Sequence, residues 1–337
     1  MYTADDRNMT VKARAIVKWF SFNLLDFSVC FLSILFEGAP FMFIGTLIAG
    51  FVDAFVPPQV MERMLPRNIS LAVGLSAVLG VAFPMCECGL VPVIRRMIGK
   101  GMPVSCALTY LLSAPIVNPI VAVSTIAAFR GQRPIMTASL RLAIGYVVAC
   151  IVGLIVARLS PKLILNREMQ ALLLKPAPKP ISELSSLPNS IQAHFSPSGS
   201  SGLKRKVLGA IHCGGYDFLD VAFYLVIGAA IASIFNTAIN RELLIPLSSH
   251  TIFATTAMMG LAFLLSLCST SDAFIAANFS AFPLVSKLAF MVFGPMMDGK
   301  LFLMYGLVFR KRFTLLLTIS LLGLIALICV ALEATNI

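Results

Sequence analysis

The chain has 337 residues, 58% of them hydrophobic and 12% charged, with a mean hydropathy of +0.92. Soluble domains carry about 25% charged residues, so this chain cannot cover a water-facing surface, and a soluble enzyme, a secreted disulfide scaffold and a disordered chain are excluded. Lys and Arg number 26 against 15 Asp and Glu, a net charge of +11; the cations sit in the gaps between apolar runs, so the lipid bilayer is the expected partner and nucleic acid is not.

A hydrocarbon core of about 30 Å takes about 20 apolar residues as a helix. On that scale the sequence predicts an all-α polytopic membrane protein with about eight transmembrane spans, at 23–52, 70–94, 103–129, 134–158, 216–236, 251–280, 283–309 and 313–333. Residues 1–22 form an N-terminal cytoplasmic or interfacial segment. Its stretch Val11–Phe20 is amphipathic, and no cleavable signal peptide is apparent. The first and sixth spans exceed one straight crossing, which predicts tilt, a kink or an unwound part, with Pro40 the natural kink point of the first. Spans one to four make a first transmembrane unit, 23–159. A polar Pro- and Ser-rich linker, 160–210, carries His194, and a second unit follows at 211–337. With eight crossings and the N-terminus inside, 16 Lys and Arg fall inside and 8 outside, so both termini are expected to be cytoplasmic; Arg310, Lys311 and Arg312 run against that balance.

The two units share a register. An ungapped offset of 180 residues aligns Cys88 with Cys268, Pro103 with Pro283, Pro115 with Pro295, Phe129 with Phe309 and Arg130 with Arg310, and puts Asn118 on Asp298. The chain is therefore expected to be two homologous four-helix repeats with broken helices. Duplicated halves with matching helix breakers point to a secondary transporter or channel, with substrate held at the midplane by backbone groups that the breaks expose. Four full spans per repeat imply parallel repeats, and a re-entrant segment in each would make them inverted.

Four segments carry the candidate chemistry. In Pro84-Met85-Cys86-Glu87-Cys88-Gly89-Leu90-Val91-Pro92 two prolines and a glycine are expected to break a helix. Cys86 and Cys88 then offer soft ligands for a metal or metalloid, and Glu87 is a carboxylate too costly in a span to lack a role. The alternative is small apolar cysteines used for packing. In Leu112-Ser113-Ala114-Pro115-Ile116-Val117-Asn118-Pro119 the polar Ser113 and Asn118 flank further breaks. Their counterparts are Cys268-Ser269-Thr270-Ser271-Asp272, a polar cluster inside an apolar run, and Pro295-Met296-Met297-Asp298-Gly299-Lys300, where Asp298 either carries protons or pairs with Lys300. Glu37, Asp272 and Asp298 are the candidate proton-coupling carboxylates, and Arg141 is expected to pair with one of Glu37, Asp217 and Asp220. No phosphate-binding loop, dinucleotide fingerprint or HExxH is present, so no cofactor and no enzymatic activity are expected.

Cys86-Glu87-Cys88-Gly89-Leu90-Val91-Pro92, Leu111-Leu112-Ser113-Ala114-Pro115 and Cys268-Ser269-Thr270-Ser271-Asp272-Ala273-Phe274 resemble the permease family that includes ArsP and YraQ-type proteins, over residues 30–335. The resemblance implies a multi-pass permease of the bacterial inner membrane. For the ArsP branch it implies efflux of trivalent organoarsenicals, with Cys86, Cys88 and Cys268 where thiol contacts to such a substrate would stand. Glu87 between the cysteines, and the absence of a second Cys-x-Cys pair, depart from that pattern. A small-molecule or metalloid substrate and a homo-oligomeric assembly are the partners expected. The competing readings are a permease for another organic or anionic solute, with structural cysteines, and a membrane thiol redox protein.

Overall fold

A chain surrounded by lipid must satisfy its backbone polar groups within each segment, which leaves these apolar runs the helix. The structure, a computed structural model, describes residues 24–55, 66, 68–82, 85–174, 202–238, 251–280 and 282–334. Among them are fourteen helices: α1 Leu24–Phe55, α2 Ile69–Ala82, α3 Glu87–Gly99, α4 Val104–Ser113, α5 Pro119–Ala128, α6 Pro134–Ala157, α7 Pro161–Ile164, α8 Arg167–Leu174, α9 Gly202–Ala238, α10 Thr251–Leu265, α11 Asp272–Asn278, α12 Leu284–Met296, α13 Gly299–Tyr305 and α14 Lys311–Ala334. Val11–Phe20, Pro84 and His194 lie outside the described residues.

Among the described residues, five segments are long and apolar enough to cross a membrane: Leu24–Phe51, Pro134–Ala157, Gly214–Thr237, Leu284–Tyr305 and Lys311–Ala334. The protein is thus a multi-pass, all-helical membrane protein. The segment 284–305 is 83% buried within the protein and Leu24–Phe51 only 11%, so α12–α13 forms the centre and α1 the lipid-facing edge. Four of the expected spans are interrupted, Leu284–Tyr305 among them. The 70–94 stretch divides into α2 and α3, of 14 and 13 residues, each about 20 Å long and too short for the hydrocarbon core. Pro92 does not break the chain as expected: it lies inside α3, and the helix starts afresh at Glu87. The 103–129 stretch breaks at 114–118, the 251–280 stretch at 266–271 and the 283–309 stretch at Met297–Asp298. Pro40 leaves α1 a single continuous helix of 32 residues. Helix also enters the expected linker, as α7, α8 and the first turns of α9.

Side-chain meetings give the helices their directions. Gly38 faces Leu225, Phe43 packs edge-on against Phe218, and Gly214 lies against the Thr46 carbonyl, so α1 and α9 run antiparallel. Thr255 and Ser286 hydroxyls lie 3.1 Å apart near the starts of α10 and α12, and Gly294 faces Ala262 near their ends, so those two run side by side in one direction. Because α11 must return from residue 272 to the start of α12 at 284, α10 and α11 form a hairpin that opens on the face where α12 starts. Val73 and Thr109 meet at Gly153, and Gly80 meets Ala114, which gives α2 and α4 the same parallel relation. With α3 leading back to the start of α4, α2 and α3 form a second hairpin.

One contact corrects the expected layout. Leu165 pairs with Phe309 in an isolated antiparallel bridge; the Asn166 N–H donates to the Val308 carbonyl at 3.0 Å and the Arg310 N–H to the Ile164 carbonyl at 2.9 Å. Eight full crossings with the N-terminus inside would put residues 158–206 and 310–312 on opposite sides of the membrane. The seven residues from Arg158 to Ile164, partly helical, cannot bridge about 30 Å, so the end of α6 and the start of α14 share one face. Lys287 Nζ reaches Gln132 Oε1 at 3.5 Å, beside the start of α6. That takes Lys287 to the face opposite the linker, where the eight-span count had it inside.

Candidate functional site

The tips of the two hairpins meet inside the protein. Cys86 holds extended backbone (φ −75°, ψ 156°) just before α3, so Cys86, Glu87 and Cys88 crowd the start of that helix with donor atoms within 4.8 Å of one another. Cys86 also neighbours Cys268 from the opposite tip. Ile34, Glu37 and Gly38 of α1, Leu225 of α9, Ser266 and Leu267 of the second tip, and Lys300 of α13 close a cavity of about 30 Å³ with these four residues. Ser266 turns the chain there in the left-handed region, at φ +50°, a conformation that non-glycine residues hold only where the surroundings enforce it.

Two buried ion pairs cross between the halves. Lys300 Nζ donates to Glu87 Oε1 at 3.2 Å and to the Ser266 carbonyl at 3.0 Å. Asp298 Oδ2 lies 3.4 Å from the same ammonium, near enough for attraction but not aligned for a hydrogen bond, and both it and Glu87 Oε2 lack a hydrogen-bond partner among the described residues. Gly228 of α9 lets Lys300 this deep: a Cβ there would stand 2.7 Å from Lys300 Cβ and 2.8 Å from its Cα. In the second pair Arg141 of α6 donates to both Asp272 oxygens at 2.9 Å, to the Ser269 carbonyl at 2.9 Å and to Thr125 Oγ1 at 2.8 Å. Glu87 and Asp272 each open the returning helix of a hairpin, and each meets a cation from the other half.

The predicted residues divide into three groups. Cys86, Glu87, Cys88, Cys268 and Glu37 come together at the cavity. Ser271 joins them indirectly, its hydroxyl 3.4 Å from Glu37 Oε1. Ser269, Asp272 and Asp298 serve the ion pairs, Asp298 also capping α13 by accepting the Leu301 N–H at 2.7 Å. The remainder is structural. Gly89 packs against Gly45 at the α1–α3 crossing, where a Cβ on Gly45 would stand 2.5 Å from the Gly89 carbonyl oxygen. Pro92 is buried in α3, Ser113 bonds back to the Tyr110 carbonyl, Pro115 lies in the α4–α5 turn, and Asn118 caps α5 through the Ile120 N–H. The expected pairing of Lys300 with Asp298 is present at 3.4 Å, and the same lysine also reaches Glu87 and lines the cavity, a long-range contact that its sequence position did not indicate.

The comparisons with known proteins agree with a transport role. UPF0718 protein YcgR of Bacillus subtilis (strain 168) is 37% identical over 296 residues, covering 88% of this chain and 92% of the relative. A protein of Streptococcus mutans serotype c (strain ATCC 700610 / UA159), named putative two-component membrane permease complex subunit, is 29% identical over 294 residues, 87% and 90% of the two chains. No solved structure matches the chain. The family ArsP_1, described as predicted permease, matches residues 23–334, and the chain belongs to that family of membrane permeases, which makes it a transporter rather than an enzyme.

Proposed function

We propose that the protein exports a thiophilic solute, a trivalent organoarsenical or a soft metal ion, through the cavity between its hairpin tips. The meeting of Cys86, Cys88 and Cys268 from two separate segments carries this reading. Thiols gathered from distant parts of a chain around a cavity are a soft-ligand site, whereas packing alone needs no such convergence. Of the carboxylates considered for proton exchange, Glu37 lines the cavity, while Asp272 and Asp298 are engaged by Arg141 and Lys300.

In this reading each half supplies one re-entrant hairpin, α2–α3 or α10–α11, and three crossings: α1, α4–α5 and α6, then α9, α12–α13 and α14. An odd number of crossings inverts the second half relative to the first, the arrangement of many secondary transporters. The helix starts at Val104 and Leu284, and at Pro119 and Gly299, keep the 180-residue register. The linker face carries the Arg310–Arg312 triplet together with residues 158–206, which suits the cytoplasm of a bacterial inner-membrane protein, and both termini are then external. By extension from the Streptococcus relative's name, a second component takes part. The deciding experiment is uptake of trivalent arsenicals and metal ions into everted vesicles. Transport that Cys86→Ser with Cys88→Ser abolishes supports the proposal; transport that the double variant leaves intact refutes the thiol site.

A further inference from the structure

We propose that the site takes a soft divalent cation, with Glu87 as its oxygen ligand beside Cys86 and Cys88, and that Lys300 is a tethered cation which occupies Glu87 until the metal displaces it onto Asp298. The inference rests on the thiol-site reading above and names its substrate.

Three observations carry it. The donor set is two sulfurs and a carboxylate within 4.8 Å of one another. A tetrahedral ion with metal–sulfur bonds of about 2.3 Å sets its sulfurs about 3.8 Å apart, so a contraction of about 1 Å completes the site, with Cys268 beside Cys86 as a further sulfur. A trivalent organoarsenic centre held by two thiolates fills its third position with carbon and has no use for a carboxylate; a divalent cation has. Second, Glu87 is 1% exposed, lines the cavity, and its Oε2 has no hydrogen-bond partner among the described residues. A buried carboxylate oxygen left bare beside two thiols is an unfilled coordination position. Third, the cavity of about 30 Å³ has room for an ion or a water or two among these donors.

Lys300 gives the site its exchange. Its ammonium lies 3.2 Å from Glu87 Oε1 and 3.4 Å from Asp298 Oδ2, between two carboxylates of which it neutralises one. When a divalent ion binds, the Cys86 and Cys88 thiols release two protons, two metal–sulfur bonds and one metal–oxygen bond form, and Lys300 turns wholly to Asp298. Two positive charges leave and two arrive, so the buried net charge is unchanged, the least costly exchange in a low-dielectric interior. Asp298 touches no metal; it is a positioning residue that receives the displaced lysine.

The test is Cd²⁺ titration of the purified full-length protein in detergent, followed by thiolate-to-cadmium ultraviolet absorbance. Protection of Cys86 from maleimide by phenylarsine oxide runs in parallel. Wild type is expected to bind Cd²⁺. Glu87→Gln weakens it at least ~10-fold without altering arsenical protection, Asp298→Asn weakens it by holding Lys300 on Glu87, and Lys300→Gln tightens it. Lys300→Arg, which keeps the charge, guards against misfolding and is expected to bind more weakly than Lys300→Gln. Cadmium binding unaffected by Glu87→Gln, or weakened by Lys300→Gln in a monodisperse protein, overturns the proposal. Arsenical protection without cadmium binding refutes this inference alone, and neither ligand protecting Cys86 refutes the thiol site itself.

Discussion

Arg141 is fully buried, and its guanidinium makes hydrogen bonds to both Asp272 oxygens, the Ser269 carbonyl and Thr125 Oγ1. Replacing it by methionine keeps an unbranched stem but leaves a 2%-exposed carboxylate without its cation. Removing one member of a buried pair costs about 3–5 kcal/mol, so Arg141→Met is expected to lose that much. Asp272→Asn keeps one acceptor but strands the guanidinium, and is expected to lose about 3 kcal/mol on the same grounds. The double variant contains neither buried charge. Because no charge is then left buried without its partner, it is expected within about 2 kcal/mol of wild type, a coupling of about 4 kcal/mol or more between the two sites. Equilibrium unfolding in mixed micelles, followed by circular dichroism, measures all four proteins. Additive losses would refute the assignment of Arg141 and Asp272 as one interacting unit.

Reporter fusions test the layout: tags after residue 337 and within 175–201 are expected on opposite sides of the membrane, and tags on one side would disprove three crossings after the linker. Asp298 joins a cap to a charge. Asp298→Asn retains the Leu301 N–H acceptor, so Asp298→Ala is expected to be about 1 kcal/mol less stable than Asp298→Asn, and equal stabilities would show that the cap contributes nothing. Gly228→Ala is expected to destabilise by about 1–3 kcal/mol, since the added Cβ meets the Lys300 backbone. Gly260→Ala, in α10 with nothing within 4 Å of its Cβ, is expected to stabilise by about 0.5–1 kcal/mol; the same sign for both would refute the close-approach argument.

The sequence locates the breaks well and their consequences poorly, for a physical reason. Proline, glycine and small polar residues in apolar runs mark where a helix ends, and helices do end at Ala82, Ser113 and Leu265. Hydropathy carries no direction, however. Residues 70–94 are equally apolar whether the chain crosses or turns back, and only contacts such as Gly80 with Ala114 and Leu165 with Phe309 separate the two. The Cys-Glu-Cys cluster is legible because its members are adjacent. The ion-pair partners are not, since Arg141 meets Asp272 across 131 positions and Lys300 meets Glu87 across 213. Ser113 and Asn118 show the opposite error: a helix break needs caps, and a polar residue beside a proline is more often satisfying the backbone than waiting for a substrate.

The pairing of each hairpin acid with a cation from the other half constrains any transport movement. Glu87 cannot leave Lys300, nor Asp272 leave Arg141, without exposing a buried charge at a cost of about 3–5 kcal/mol each, comparable to a large share of a protein's net stability. The two pairs are not equivalent in this respect. Arg141 is held by a carboxylate, a carbonyl and a hydroxyl in a fixed fork, and among the described residues Asp272 has no other cation beside it. Lys300 is a single ammonium on a flexible stem with a second carboxylate 3.4 Å away, and a point charge of that kind changes partners more readily than a guanidinium. Movement that depends on occupancy of the site therefore belongs on the α3–α13 side, where a ligand at Glu87 can take over the role of Lys300, while the α6–α11 contact remains the fixed reference.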